Sequence, residues 1–179
     1  MATTETLAPA GTWRLDPVHS SVAFEVAYLG GTFKGAFREV EARLRVEGES
    51  AALEGAALVA SVDVKDENLA AHLQSPDFFD AERFPELRFA AADVALDGDG
   101  VAADGEVTIR GITRPVRVTG TAAGPLVDPY GRERVALALT AAVDRTLFGL
   151  EWNAPLPTGE PALANEVAIV ADLTFVKEA

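Results

Sequence analysis

The chain has no cysteine among its 179 residues, which excludes disulfide bridges, zinc–thiolate sites and thiol catalysis and leaves the redox compartment undetermined. Histidine is nearly as scarce. His19 and His72 are the only two, and a zinc site would need both of them and a carboxylate to converge from distant segments, with no ligand-spacing motif to bring them together. No metal and no cofactor are expected. Positive charge is also short: 15 Lys and Arg stand against 28 Asp and Glu, a formal net charge of −13. That balance repels nucleic-acid phosphates and anionic membrane faces, so nucleic acid is not an expected partner and strong binding to anionic membranes is not expected either. No window approaches the ~20 consecutive apolar residues of a membrane-spanning helix. The opening MATTETLAPAGT lacks the basic n-region and apolar run of a secretory signal. Residues 1–11 read as a disordered tail, residues 12–179 as a single domain, and the expected location is cytoplasmic.

What is present is a large apolar fraction, 49% of the residues, enough for a substantial core in one unit of this length. Apolar residues recur mostly at every second position, the mark of strands with one buried and one wet face. Over residues 20–29, Val22, Phe24, Val26 and Tyr28 share one face, opposite Ser21, Ala23, Glu25 and Ala27, and the first set reads as pointing inward. Phe33, Gly35 and Phe37 continue this pattern. Val40, Ala42, Leu44 and Val46 follow one step out of phase, which a β-bulge would explain. Further strands are read from Leu58, Ala60, Val62 and Val64; from Leu87, Phe89, Val94 and Leu96; from Val107 and Ile109; and from Val116 and Val118. The last come from Val135, Leu137 and Leu139, and from Val167, Ile169, Ala171, Leu173 and Phe175. The total is about eight, separated by turn signals at residues 97–100, 110–111, 124–125 and 128–131, which suits an all-β antiparallel meander.

One segment departs from the alternation. A helical insertion is expected at about residues 67–83, where 67–73 reads as a short amphipathic turn. Ser75, Pro76 and Asp77 then supply an N-cap, a proline at N1 and an acid in the first turn of a second helix, which Pro85 ends. Residues 151–164, with Pro155, Pro157 and Pro161, read as an ordered rim loop.

Four motifs give these segments a family likeness: HL-x-S-x-DFFD from His72 to Asp80, FPELRF from Phe84 to Phe89, TIRGITRPV from Thr108 to Val116, and DRTLFGL from Asp144 to Leu150. With the opening WRLDPVHSSVAFEV of residues 13–26, they resemble the YceI-like family over nearly the whole chain, from Trp13 to Phe175. The resemblance implies a lipocalin-like, eight-stranded antiparallel barrel and a polyisoprenoid lipid as ligand. Some relatives are periplasmic and carry signal peptides. The chain departs from the common family pattern at Tyr28, where many relatives have histidine, and at Asp66-Glu67-Asn68, where they have an Arg-Asp pair, so polar contacts at the barrel mouth are expected to differ. Arg145 and Asp16 match recurrent family positions, and a charge-assisted hydrogen bond from one of them is expected to hold strand ends.

A small barrel is either filled by its side chains or holds one small ligand, and the inward phenylalanines fit both. The surplus of aromatic residues in the insertion favours a capped tunnel. The candidate lining residues are Val22, Phe24, Val26, Tyr28, Phe33, Phe37, Leu73, Phe78, Phe79, Phe84, Phe89, Phe148 and Trp152. Asp77 and Asp80 read as capping acids rather than a catalytic pair, and Gly30, Gly31 and Gly149 as strand termini rather than a phosphate cradle. The reading is a non-catalytic protein that sequesters or transports a long isoprenoid lipid, polyprenyl or isoprenoid quinone. An enzyme acting on a lipid-like substrate in the same cavity, as cyclase, isomerase or hydrolase, is the alternative, and a solid barrel serving as a scaffold is a third. Pairing into a homodimer is left open.

Overall fold

The computed structural model describes residues 8–48 and 50–178. In chain order the strands are β1 (Gly11–Leu15), β2 (Ser21–Tyr28), β3 (Gly31–Phe37), β4 (Val40–Glu47), β5 (Ser50–Leu58) and β6 (Val62–Asp63). One helix, α1 (Glu67–Gln74), precedes β7 (Glu86–Ala91), β8 (Val94–Asp97), β9 (Gly100–Ile109), β10 (Ile112–Val127), β11 (Glu133–Asp144) and β12 (Leu163–Lys177). β1 pairs with β4 on one side and β12 on the other, so the path β1-β4-β5-β7-β9-β10-β11-β12 closes into a ring of eight antiparallel strands. β2, β3 and β6 prolong that wall at one end, with β2 between β12 and β3 and β6 beside β3. A closed all-β barrel with one short helix is the result, and closure removes the exposed strand edges that invite aggregation.

Several barrel strands are broken where the wall changes direction. Between β1 and β2 lies a 3-10 turn, Pro17–His19, whose N-cap Asp16 accepts from the Val18 N–H. The phase slip between Phe37 and Val40 is not the expected bulge within one paired strand. Instead β3 and β4 part at Arg38 and Glu39, and the neighbouring β5 and β6 part at the same level around the 3-10 turn Val59–Ser61. Ser61 joins the two breaks: its carbonyl accepts from the Arg38 N–H at 3.1 Å, and its hydroxyl oxygen accepts from the Glu39 N–H at 3.0 Å.

Leu58 and Ala60 do not share a buried face. Leu58 points outward, and β5 turns Ala51, Leu53 and Ala57 inward, followed by fully buried Val59; the alanine-rich run has too little contrast for its phase to be read. The insertion holds one helix, not two. Ser75 is the C-cap of α1, and its extended backbone is what a following proline imposes. Ser75 O accepts from the Phe78 and Asp80 N–H groups, and Asp80 adopts a left-handed φ of 52°, so 76–84 is a series of turns. The Phe79, Asp80 and Ala81 N–H groups bond back to Leu73, Ser75 and Gln74, folding the chain onto the end of α1 instead of continuing a helical ladder. Of the tail expected over 1–11, residues 1–7 lie outside the described residues. Ala8 is buried, the Trp13 indole N–H donates to the Pro9 carbonyl at 3.0 Å, and Gly11 already belongs to β1, because Trp13 needs a cover at that end of the barrel.

Candidate functional site

The barrel is packed at one end and hollow at the other. Where β1 joins β4 and β12, Trp13, Leu44, Val46, Val135, Leu137 and Phe175 are at most 1% exposed. Towards the β2–β3 end the inward residues shrink: Ala42, Gly55, Ala57, Ala141 and Ala171 all line a cavity of about 400 Å³, within the ~300–1,000 Å³ usual for small-molecule sites. Leu53, Leu139 and Leu173 form its floor; Leu137 pairs with Leu173, and the next inward pair along the two strands, Val135 and Phe175, lies below it. Strand register sets the opposite end: Tyr28 lies beside Leu163, and Val26 beside Val167, near the mouth.

Of the candidate lining residues, Val22, Phe24, Val26, Tyr28, Phe33, Phe37, Leu73, Phe78, Phe79, Phe89 and Trp152 reach the cavity wall. Phe24 stacks at tilted angles on Phe33 and Phe37, with ring centroids 5.9 and 5.7 Å away, and Phe79 meets Phe24 and Phe37 edge-on at 6.5 and 5.8 Å. Phe84 does not line the cavity. It sits on the outer side of the turn, under the Arg83 guanidinium at 5.1 Å, against Gly111 of the β9–β10 hairpin. A Cβ at Gly111 would lie 2.8 Å from the Phe84 ring, and its φ of 72° favours glycine. Phe148 is also misplaced by the sequence reading: it is 2% exposed, in the 3-10 turn Arg145–Phe148, and anchors that turn in the core rather than the wall. Missed altogether as lining were Val107, Ile109, Val116, Leu139, Val143, Val167 and Ile169. Alternation marked all of them except Val143 as strand-face residues, but nothing in it separates a wall from a packed core.

A second aromatic group lies at the mouth. His72 on α1 faces Phe78 and Trp152 edge-on, at 4.9 and 5.0 Å, and those two rings lie 5.3 Å apart. α1 is fixed there by its N-cap, Asp66, which accepts from the Leu69 N–H at 3.0 Å, and by buried Leu73. His72 Nε2 lies 3.1 Å from a carboxylate oxygen of Asp77, so helix, turn and the 151–164 loop meet at one point. That loop is held from below by Arg145. Its Nε donates to Ala164 O at 2.8 Å, Nη1 to Leu150 O and Trp152 O at 2.6 and 2.8 Å, and Nη2 to Leu163 O at 3.4 Å.

Ionisable chemistry elsewhere serves the packed end. Arg134 donates from Nη1 to Asp16 at 2.8 Å and from Nε to Asp128 at 2.7 Å. The guanidinium lowers the Asp16 carboxyl to about 2, holds Asp128 well below the usual carboxylate range, and is itself raised by the two carboxylates. Charge-assisted bonds thus hold both ends, through Asp16 at one and Arg145 at the other. His19 belongs to the Asp16 end, at 2.7 Å, and is far in the fold from His72. Among the described residues no three His, Cys, Asp or Glu side chains gather where they could hold a metal ion.

A model of the YceI-like domain family matches residues 13–175. A UPF0312 protein of Pseudomonas fluorescens is 32% identical over 141 residues, 73% of this chain and 71% of the relative. Among solved structures, BcnA of Burkholderia cenocepacia superposes with a TM-score of 0.77 at 22% identity, covering 89% of this chain and 98% of that one. A polyisoprenoid-binding domain from Saccharophagus degradans, implicated in plant cell wall breakdown, gives 0.67 at 10% identity, over 93% of this chain and 98% of that one.

Proposed function

The chain belongs to the YceI-like family, and on that premise we propose that it binds a long-chain isoprenoid lipid, of polyprenyl or isoprenoid-quinone type, and sequesters or carries it without chemical change. The observation that carries this reading is the cavity: about 400 Å³ enclosed by a barrel wall made almost wholly of aliphatic and aromatic side chains. Each methylene moved from water into such a wall contributes ~0.8 kcal/mol, so chain length alone supplies affinity. The polyisoprenoid-binding relative in Saccharophagus degradans supports a branched prenyl chain over a straight one. Against catalysis, the imidazole and the guanidinium on the wall are already engaged, His72 with Asp77 at the half-exposed mouth and Arg145 with backbone carbonyls. A general base needs a substrate proton within reach and a group to orient it, and neither His72 nor Arg145 offers that in the depth of the cavity. Solvent extraction of gently purified protein followed by mass spectrometry tests the reading. A prenyl lipid at near-stoichiometric amount is the expected result; an extract without lipid, from protein that also fails to take up added prenyl lipid, overturns it.

A further inference from the structure

Among the described residues Arg145 is the one buried cation, at 5% exposure, and it lines the cavity. Its hydrogen bonds all end on neutral carbonyls, those of Leu150, Trp152, Leu163 and Ala164. Among the described residues no carboxylate forms an ion pair with it. Asp144, one residue earlier, turns its side chain onto Thr146 instead and acts on the guanidinium only at longer range. Carbonyl dipoles satisfy donors but carry no net charge, and an unpaired charge away from water is costly. Donor capacity is also left over. A guanidinium has five N–H groups, and Nη2 makes a single long bond of 3.4 Å.

We propose that Arg145 is the head-group reader of this cavity, and that the preferred ligand places an anionic oxygen, carboxylate or phosphate, against its Nη2 edge while the apolar chain fills the barrel. This rests on the lipid-binding reading above and deepens it. A neutral alcohol would gain one hydrogen bond there; an anion gains that bond and also answers the charge, which the carbonyl dipoles leave uncompensated. A difference of ~1.4 kcal/mol is tenfold in affinity, and roughly that preference is expected. The net charge of −13 opposes an approaching anion at long range, so salt, which screens distant charges more than buried ones, raises rather than lowers the observed affinity.

The test uses delipidated full-length protein carrying a displaceable fluorescent apolar probe. Hexadecanoate, hexadecan-1-ol and hexadecylamine compare head groups on one chain; farnesyl phosphate and farnesol compare phosphate with hydroxyl on a prenyl chain, and separate a phosphate source from a carboxylate one. The expected order is anion, then alcohol, then amine, with the anion about tenfold ahead, and Arg145→Met and Arg145→Gln, checked for folding by circular dichroism, lower the anion's affinity more than the alcohol's, so that the anion's advantage is lost. In the wild-type protein, the Arg145 side-chain 15N resonance should shift on adding hexadecanoate and not on adding hexadecan-1-ol, a readout that does not depend on the variants folding. Equal binding of anion and alcohol, a preference that survives in a folded Arg145 variant, or an unmoved Arg145 resonance would overturn the proposal. Failure of every amphiphile to displace the probe would instead strike the lipid-binding reading beneath it.

Discussion

The two ends of this barrel share strands and alternation, yet one is packed and the other hollow. Along β11, Val135 and Leu137 are 1% exposed, whereas Ala141 and Val143 on the same face are only half-buried and line the cavity. Along β12, Phe175 is fully buried while Ala171, Ile169 and Val167 face the same void. Polarity does not distinguish the two ends; side-chain volume does. Trp13, Leu15 and Phe175 close the ring where β1 bridges β4 and β12, and alanine and glycine at the facing positions of the other end leave space that close packing would otherwise remove. The cavity is therefore a consequence of small residues placed inward on an otherwise ordinary barrel.

The sharpest way to break this comparison is to put the same charge on the same strand at both ends. Val135 and Val143 are eight residues apart on β11, hence on one face. Val135→Asp buries a carboxylate in a packed layer beside Phe175 and is expected to cost several kcal/mol, enough to unfold a marginally stable domain. Val143→Asp opens onto a cavity that water can enter once the ligand leaves. That variant should stay folded, lose its lipid and fall only modestly in melting temperature. Thermal unfolding and lipid content of both, measured side by side, decide it: equal destabilisation would mean that the hollow end is as dry and tight as the other.

A milder version uses neighbouring leucines. Leu137→Ala makes a new hole in the packed layer and is expected to cost ~2–5 kcal/mol. Leu139→Ala, on the cavity floor, enlarges a void that already exists and should cost about half as much, because fewer packed contacts are lost. Denaturant midpoints give the two values. Leu139→Ala should also deepen the cavity, so longer prenyl chains should gain affinity relative to shorter ones.

How much of this was legible beforehand follows from what alternation encodes. The even-numbered face of residues 22–28 was readable because large apolar residues alternate there with small or polar ones, and its four members line the cavity. β5 was not, since ALEGAAL presents alanine on both faces. Phe79 and Phe84 looked equivalent in the sequence; the left-handed turn at Asp80 sends one into the barrel and the other onto Gly111 outside it. Arg145 was legible as a family position holding strand ends. Its burial on the cavity wall depends on the 151–164 loop folding back over it, and no local pattern records that contact.

The packed end also carries the acid sensitivity. Asp16 titrates at about 2 in the folded protein because Arg134 and then His19 hydrogen-bond its charged form, against about 3.9 for an unpaired aspartate. A depressed folded value means stability that is fully present above about pH 4 and lost as the pH falls towards 2. Asp128 is shifted the same way by the same arginine and adds to the loss at the acid end. Acid titrations of unfolding midpoints should therefore show a decline over that window that flattens in Arg134→Met, whose carboxylates have lost their shared partner. An equally steep decline in the variant would place the acid sensitivity elsewhere in the molecule.

The smallest effect on stability, and the most local, is expected at the mouth. Trp152 closes the gap between α1 and the 151–164 loop through an edge contact to His72 and a tilted one to Phe78, each such aromatic pair contributing ~0.5–1.5 kcal/mol. The loop backbone is held separately, because the Trp152 carbonyl accepts from Arg145 and any side chain at position 152 keeps that bond. Trp152→Ala should thus leave the melting temperature within a few degrees of wild type while opening the one aromatic contact that spans helix and loop. If ligand leaves by this mouth, transfer of a bound fluorescent lipid to excess acceptor vesicles in a stopped-flow experiment should speed up several-fold, with little change at the packed end. An unchanged transfer rate in a folded variant would show that the lipid exits by another route. The hollow end would then be a store whose door lies between strands rather than under the helix.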